Sequence, residues 1–201
     1  DADQIEHEYL VETSGEIACK VSGFLDQRLG KGVVPAKDRP NFIANRVGTF
    51  GMMATVHEMI AMGFTPTEID QIKGKAIGHA KSATFRTSDL VGLDVLVHVN
   101  KNLYPAVPDD EDREVFQIPD VINQMLGRKL LGDKTKGGFY KKTKNVEGQT
   151  EILELDLKTF EYKPQAKTRF ASLEAARAIG DQSKRIKTLV WGNDKVAEFL
   201  W

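Results

Sequence analysis

Apolar side chains along this chain fall mostly at helical spacing. Ile17, Val21, Leu25 and Leu29 lie four residues apart, one stripe of a helix. Thr13-Ser14-Gly15-Glu16 sets a hydroxyl three residues before a glutamate, the capping-box signature of a helix start, and Gly30 ends the stripe. Residues 32–36 read as a short extended piece. Pro40 and Asn41 then announce a second helix over about 41–62. Phe42, Ile43, Val47, Phe50, Met53, Val56, Met59 and Ile60 put apolar groups on most of its faces, which predicts a central, buried helix. Gly48 and Gly51 would let a neighbour approach it closely, and Gly63 stops it. Residues 1–12 show no clear period.

Thr65-Pro66-Thr67-Glu68 is a second capping box, with proline at the first helical position. It opens a short third helix that fades by Gly74. After a loop, Thr87-Ser88-Asp89 opens a fourth helix through about Tyr104, with Leu90, Leu93, Leu96 and Val97 facing inward. Residues 105–113 form an acidic linker. A fifth helix starts near Pro119 and carries Val121, Ile122, Met125 and Leu126. A basic, glycine-rich loop over 130–138 leads to Phe139-Tyr140. Beyond Asn145 the texture changes. Ile152, Leu153 and Leu155, then Phe160 and Tyr162, flank Asp156-Leu157-Lys158-Thr159, a β-hairpin over about 151–163 with an Asp-initiated turn. Ser172 caps a further helix with Leu173, Ala176 and Ile179, and one or two short helices close the chain. The fold class is mainly α: a helical domain over 1–142, then an α+β appendage over 143–201.

The chain has 201 residues, with 28 Lys+Arg against 29 Asp+Glu. A formal net charge of −1 exerts no long-range pull on nucleic acid or anionic membrane. No apolar run approaches the ~18–20 residues of a spanning helix, and the segment from Asp1 is acidic, without an apolar signal region. A cytoplasmic protein is expected, with no nucleic-acid or membrane partner. The missing initiator methionine reads as a fragment of a longer chain.

The single cysteine, Cys19, excludes an internal disulfide and a cysteine-cluster zinc site. Its place on an apolar helix reads as an inert, buried thiol. His7, His57, His79 and His98 never fall at metal spacing with a second ligand, so no metal is expected. There is no GxGxxG, P-loop, HExxH or GxSxG. The run Asp109-Asp110-Glu111-Asp112 reads as a solvated loop. Asn45 stands out near the start of an otherwise apolar helix. A buried amide there needs partners for its oxygen and both hydrogens. It either ties helices together or offers a neutral donor to a substrate carbonyl. Arg46 beside it reads as an ion-pair residue that holds the loop before the helix.

Lys37-Asp38-Arg39-Pro40-Asn41-Phe42-Ile43-Ala44-Asn45-Arg46 resembles the signature K-D-x-P-G-F-I-x-N-R that opens the C-terminal domain of 3-hydroxyacyl-CoA dehydrogenases. Two further stretches follow in the family's order. Residues 82–94, ending Asp89-Leu90-Val91-Gly92-Leu93-Asp94, resemble its xPF-x-LxD-x-VGLD segment. Lys134-Thr135-Lys136-Gly137-Gly138-Phe139-Tyr140 resembles its K-TGxGFY ending, and Leu29-Gly30-Lys31 matches the preceding LGK. The resemblance covers about 13–142, and the tail fits a longer bacterial or archaeal form. Asn41 stands where glycine is commoner, and the proline before Phe85 is missing.

The resemblance implies a helical domain like the C-terminal domain of 6-phosphogluconate dehydrogenase. It also implies an enzyme of fatty-acid β-oxidation that oxidises (S)-3-hydroxyacyl-CoA to 3-oxoacyl-CoA with NAD. In the family, an N-terminal Rossmann domain binds NAD and carries a catalytic His–Glu pair; that domain is absent here, so the chain alone is expected to be inactive. The signature asparagine that holds the substrate oxygen maps onto Asn45. Glu6, Glu8, Glu12 and His7 lack the family's surrounding residues and receive no role. Lys134 and Lys136 are weak candidates for CoA phosphates, or are solvated lysines beside a turn. Phe139 and Tyr140 read as packing residues, and Phe85 and Asp89 as loop-and-cap residues. The family implies acyl-CoA, the enzyme's own Rossmann domain and a second subunit in a homodimer as partners. The alternatives are a helical assembly module without catalytic duty, and a neighbouring hydroxyacid-type dehydrogenase, a class that lacks the GFY ending.

Overall fold

The computed structural model describes residues 7–10, 13–165 and 168–201. Its first unit is a βαβ turn of strand β1 (His7–Leu10), helix α1 (Gly15–Leu29) and strand β2 (Val33–Ala36). The two strands pair in parallel, with His7 opposite Val33. A four-residue strand is too short to show alternation, which is why β1 has no signal in the sequence. Ser14, not Thr13, caps α1: its hydroxyl accepts from Ile17 N at 3.4 Å. Gly30 closes the helix in the left-handed region. The apolar stripe of α1 forms, but none of its residues is buried. Ile17 and Phe24 stand 55 and 56 % exposed. Cys19 is exposed on the same helix, so the thiol is accessible rather than buried.

Helix α2 (Ala44–Met62) starts three residues later than its start signals suggest. Asn41 and Phe42 take φ of 63° and 47°, a left-handed pair that a right-handed helix cannot include. Asparagine tolerates this region better than other side chains, which accounts for Asn41 where the signature has glycine. The all-round burial expected of α2 does not occur among the described residues. Met53, Thr55, Val56 and Met59 face the core, while Ile43, Val47 and Ile60 are exposed. A Cβ built on Gly48 or Gly51 meets nothing within 4 Å, so neither marks a close approach.

The capping box of α3 (Pro66–Ile72) is complete. Thr65 Oγ1 accepts from Glu68 N, and Glu68 Oε2 accepts from Thr65 N. The single helix expected over 87–104 is two, α4 (Phe85–Val91) and α5 (Leu93–Ala106), broken at Gly92 with φ 101°. The break puts Leu93 and Val97 in the core and leaves Leu90 57 % exposed, outside it. Helix α6 (Asp120–Gly127) buries Ile122 and Met125 as expected.

An antiparallel sheet follows in the order β3 (Tyr140–Lys144), β4 (Thr150–Leu155), β5 (Tyr162–Pro164). The pair β4–β5 is the expected hairpin, with Glu154 opposite Lys163. Strand β3 is an addition that its lysine-rich sequence conceals. Helices α7 (Ala171–Ala176), α8 (Gln182–Val190) and α9 (Lys195–Leu200) close the chain. Ser172 does not cap α7. Its N–H and hydroxyl both donate to Asp194, the N-cap of α9, at 2.9 Å each, and so tie the two helices together. One apolar core joins Val56, Met59 and Met125 with Leu155, Leu189 and Val196.

Two buried carboxylates knit this core's polar seam. Asp70 accepts from Thr84, Phe85 and Arg86 N–H, the orphan donors at the start of α4, and from the Tyr140 hydroxyl. Asp89 is 1 % exposed and sits inside α4. Its two oxygens accept from Phe139 N at 2.9 Å and Tyr140 N at 2.8 Å. Asp89 is therefore a clamp on the Phe139-Tyr140 segment, not the helix-start residue its position suggests, and Phe85 is fully buried rather than a loop residue.

Burial pushes the Asp89 carboxyl up to about 6, against the pull of its two N–H donors, and burial raises Asp70 as well. An acid with a raised folded-state value binds more protons folded than unfolded, so its contribution to stability grows as pH falls through 6 toward 4. Between about pH 7.5 and about pH 5, Asp89 is expected to add about 1 kcal/mol to unfolding stability, a gain that Asp89→Asn lacks. Urea unfolding of both proteins at the two pH values measures it. Equal changes in the two proteins would show that Asp89 does not titrate in this window.

Candidate functional site

Asn45 lies in the first turn of α2, directly after the left-handed pair Asn41-Phe42. The turn is closed by Phe42 N donating to Arg39 O at 3.0 Å and Val47 N donating to Ile43 O at 3.0 Å. The sequence suggested a buried amide that needs protein partners. The structure instead leaves Asn45 exposed, and among the described residues its amide has no hydrogen-bond partner. It is presented outward. The helix start around it has no side-chain cap and no acidic residue in its first turn. The positive end of the α2 dipole is thus not offset locally by a carboxylate, which favours negative charge beside Asn45.

Arg46 fixes this turn from the side. Its guanidinium pairs with Asp110, a residue beyond α5, rather than with the loop before α2. Asp110 also accepts from Asp112 N at 3.0 Å, and its side chain is only 15 % exposed. The acidic run is therefore not simply a solvated loop: one of its carboxylates anchors the start of α2. The Arg46 guanidinium holds the Asp110 carboxyl below the usual carboxylate range.

The lysine candidates sit elsewhere in the hydrogen-bond network. Lys134 pairs with Asp94 and lies across Gly92, where an added Cβ would fall 2.7 Å from Nζ. Lys136 is exposed and closes a short turn with φ 59°. No described hydrogen bond or ion pair links either of them to the Asn45 turn. His57 Nε2 lies 3.1 and 2.9 Å from the Val115 and Gln117 carbonyls, a tie between α2 and the segment before α6. His98 Nε2 meets the Asn102 amide on its own helix. Glu8 lies in β1, while Glu6 and Glu12 fall outside the described residues. Among the described residues no three His, Cys, Asp or Glu side chains converge as metal ligands, and no helix is long and apolar enough to cross a membrane.

A parallel βαβ unit is the building block of dinucleotide-binding sheets. The β1–α1 unit does not fit a dinucleotide. Gly15 is the one glycine in its turn, and Glu16 occupies the first turn of α1, where a pyrophosphate would be repelled. What sequence reading missed is the pairing of β1 with β2 and the two clamps. Asp70 and Asp89 carried no motif of a clamp, because their partners are backbone groups distant in sequence.

This arrangement is a helical domain with an outward-facing asparagine on a strained helix start. The sequence pattern of the family described as 3-hydroxyacyl-CoA dehydrogenase, C-terminal domain, matches residues 42–142. The chain belongs to that family. It is 45 % identical over 190 residues to a Bacillus subtilis protein named "Probable 3-hydroxyacyl-CoA dehydrogenase", covering 94 % of this chain and 23 % of that protein. It is also 45 % identical over 138 residues to a Deinococcus radiodurans protein of the same name, covering 69 % of this chain and 39 % of that one. The chain thus spans well under half the length of these relatives. Among solved structures, FadB2 of Mycobacterium tuberculosis aligns at TM-score 0.57 and 25 % identity, over 68 % of this chain and 46 % of that one.

The family's ordered motifs now have a physical account. The Asp89 carboxylate of the second motif holds the Phe139-Tyr140 backbone of the third, so the two segments work as one clamp.

Proposed function

We propose that this chain is the substrate-side and dimerisation part of an NAD-dependent (S)-3-hydroxyacyl-CoA dehydrogenase of fatty-acid β-oxidation, working in the cytoplasm. The Asn45 amide donates to the substrate oxygen at C3. The observation that carries this reading is the position of Asn45: exposed, free of described partners, and held on a strained turn by Arg46 and Asp110. Backbone strain that persists at such a turn is typical of residues held for function. A neutral amide stabilises a developing negative oxygen without adding a titrating group. NAD belongs to a separate Rossmann domain, since the residues of the β1–α1 turn do not suit it. The helical domain, 1–142, carries Asn45, and 143–201 is its appendage. Acyl-CoA is the substrate. Lys134, already neutralised by Asp94, contributes little to CoA recognition.

The test is reconstitution. NAD-dependent oxidation of 3-hydroxybutyryl-CoA is expected from this chain plus a separately expressed Rossmann domain, and from neither alone. Turnover by the 201-residue chain alone would show that the catalytic centre has been misplaced. A second reading, a pure assembly module, draws on the exposed Ile43, Val47 and Ile60 of α2. Under that reading the mixture associates but substitutions at Asn45 leave turnover unchanged.

A further inference from the structure

At the opposite end of α2 from Asn45, roughly 22 Å along the helix, lies a cavity of about 450 Å³. Met59, Phe64, Val121, Leu155 and Leu157 supply its apolar wall. Its far side is built by the β4–β5 hairpin, which lies outside the residues 42–142 that define the family. A volume of this size is in the range of small-molecule sites.

One wall residue has unfinished chemistry. Glu154 lines the cavity and is 0 % exposed. Its Oε2 accepts from Thr67 N at 2.9 Å, in the first turn of α3. Its Oε1 is buried and has no hydrogen-bond partner. Leaving a buried carboxylate oxygen without a donor is costly. The charges along the cavity do not supply one. Lys163 Nζ is engaged by Asp156 Oδ2 at 2.6 Å, and Lys158 is exposed on the hairpin turn. Glu154, Asp156 and Asp120 outnumber these two lysines, so the lining carries one negative charge in excess.

An anionic guest would meet that excess charge. A plain hydrocarbon would fill the apolar wall but leave Oε1 unpaired. A small molecule with a hydrocarbon body and one cationic N–H donor satisfies both. We propose that this cavity binds an apolar primary amine, with its ammonium on Glu154 Oε1 and its hydrocarbon against Met59, Phe64 and Leu157. The reading does not depend on the role given to Asn45.

The test is calorimetric titration of the full-length protein with hexylammonium, hexanol and hexanoate. Hexylammonium is expected to bind at least about tenfold more tightly than hexanoate, as a charge-assisted hydrogen bond requires. Glu154→Gln should lower hexylammonium affinity by about tenfold or more, with hexanol affected far less. Leu157→Trp, which fills the cavity away from the Thr67 contact, should abolish binding of all three with little change in melting temperature; it keeps the test decisive should Glu154→Gln fail to fold. Absence of hexylammonium binding at millimolar concentration overturns the proposal. So does equal binding of hexanoate, or hexylammonium binding that survives Leu157→Trp.

Discussion

Asn45→Ala is expected to lower kcat for 3-hydroxyacyl-CoA oxidation by about 10²–10³-fold in the full-length enzyme, the usual loss when one preorganised donor to a developing oxyanion is removed. KM should change little, because the amide matters most where charge on the substrate oxygen is greatest. The pH profile should keep its shape, since an amide does not titrate. Asn45→Asp should be at least as damaging, because it sets a carboxylate against the same developing charge. Steady-state kinetics of the three proteins, with sedimentation of each, separate the readings. A loss of turnover with unchanged association supports the substrate-oxygen role. Full turnover in Asn45→Ala would sink that role and leave the family membership untouched.

The effect should depend on the turn as much as on the side chain. Asn45 follows two left-handed residues and precedes an arginine pinned to Asp110. These contacts fix where the first turn of α2 points. The sequence made this turn visible as a motif, but not as geometry. Pro40 and Asn41 look like a helix start, and a left-handed Asn41-Phe42 pair cannot be read from residue type alone. Asn45 likewise looked buried, because its neighbours Ile43 and Val47 are apolar. In the structure those neighbours are themselves exposed, and the inference from company to burial fails.

The same distinction runs through the fold. Elements with a local physical cause were legible: the Thr65 capping box, the Gly30 and Gly63 stops, and the Asp156 turn of the β4–β5 hairpin. What depended on distant partners was not. The break at Gly92 is fixed where Leu93 N donates to Leu131 O and Lys134 crosses the glycine. The strand β3 exists because its backbone pairs with β4, not because its lysines favour a strand. Cys19 and the stripe of α1 show the limit from the other side. Period identifies a helix and its apolar face, but not whether anything covers that face.

Gly138→Ala is expected to destabilise the protein by about 2–5 kcal/mol, the scale of breaking a buried hydrogen-bonded carboxylate site. The reason is space, not backbone freedom, since Gly138 does not have a positive φ. A Cβ on Gly138 would fall on Asp89 Oδ1 and within 2.7 Å of Gly132 Cα. Asp89 could yield only by leaving Phe139 N and Tyr140 N, which would strand two buried donors and a buried carboxylate. Gly48→Ala makes the opposite case in the same chain. It lies within α2 with open space around an added Cβ, so it should stabilise by about 0.5–1 kcal/mol. Urea unfolding of both variants at neutral pH compares them directly. The clamp has a sharper signature in the double variant Asp89→Ala/Gly138→Ala. Once the carboxylate is gone, the added methyl has room, so the two losses should fall well short of additive, by about 1–3 kcal/mol. Additive losses would mean that Gly138 is required for some reason other than the Asp89 carboxylate. The tie between the second and third motifs would then rest on the backbone alone.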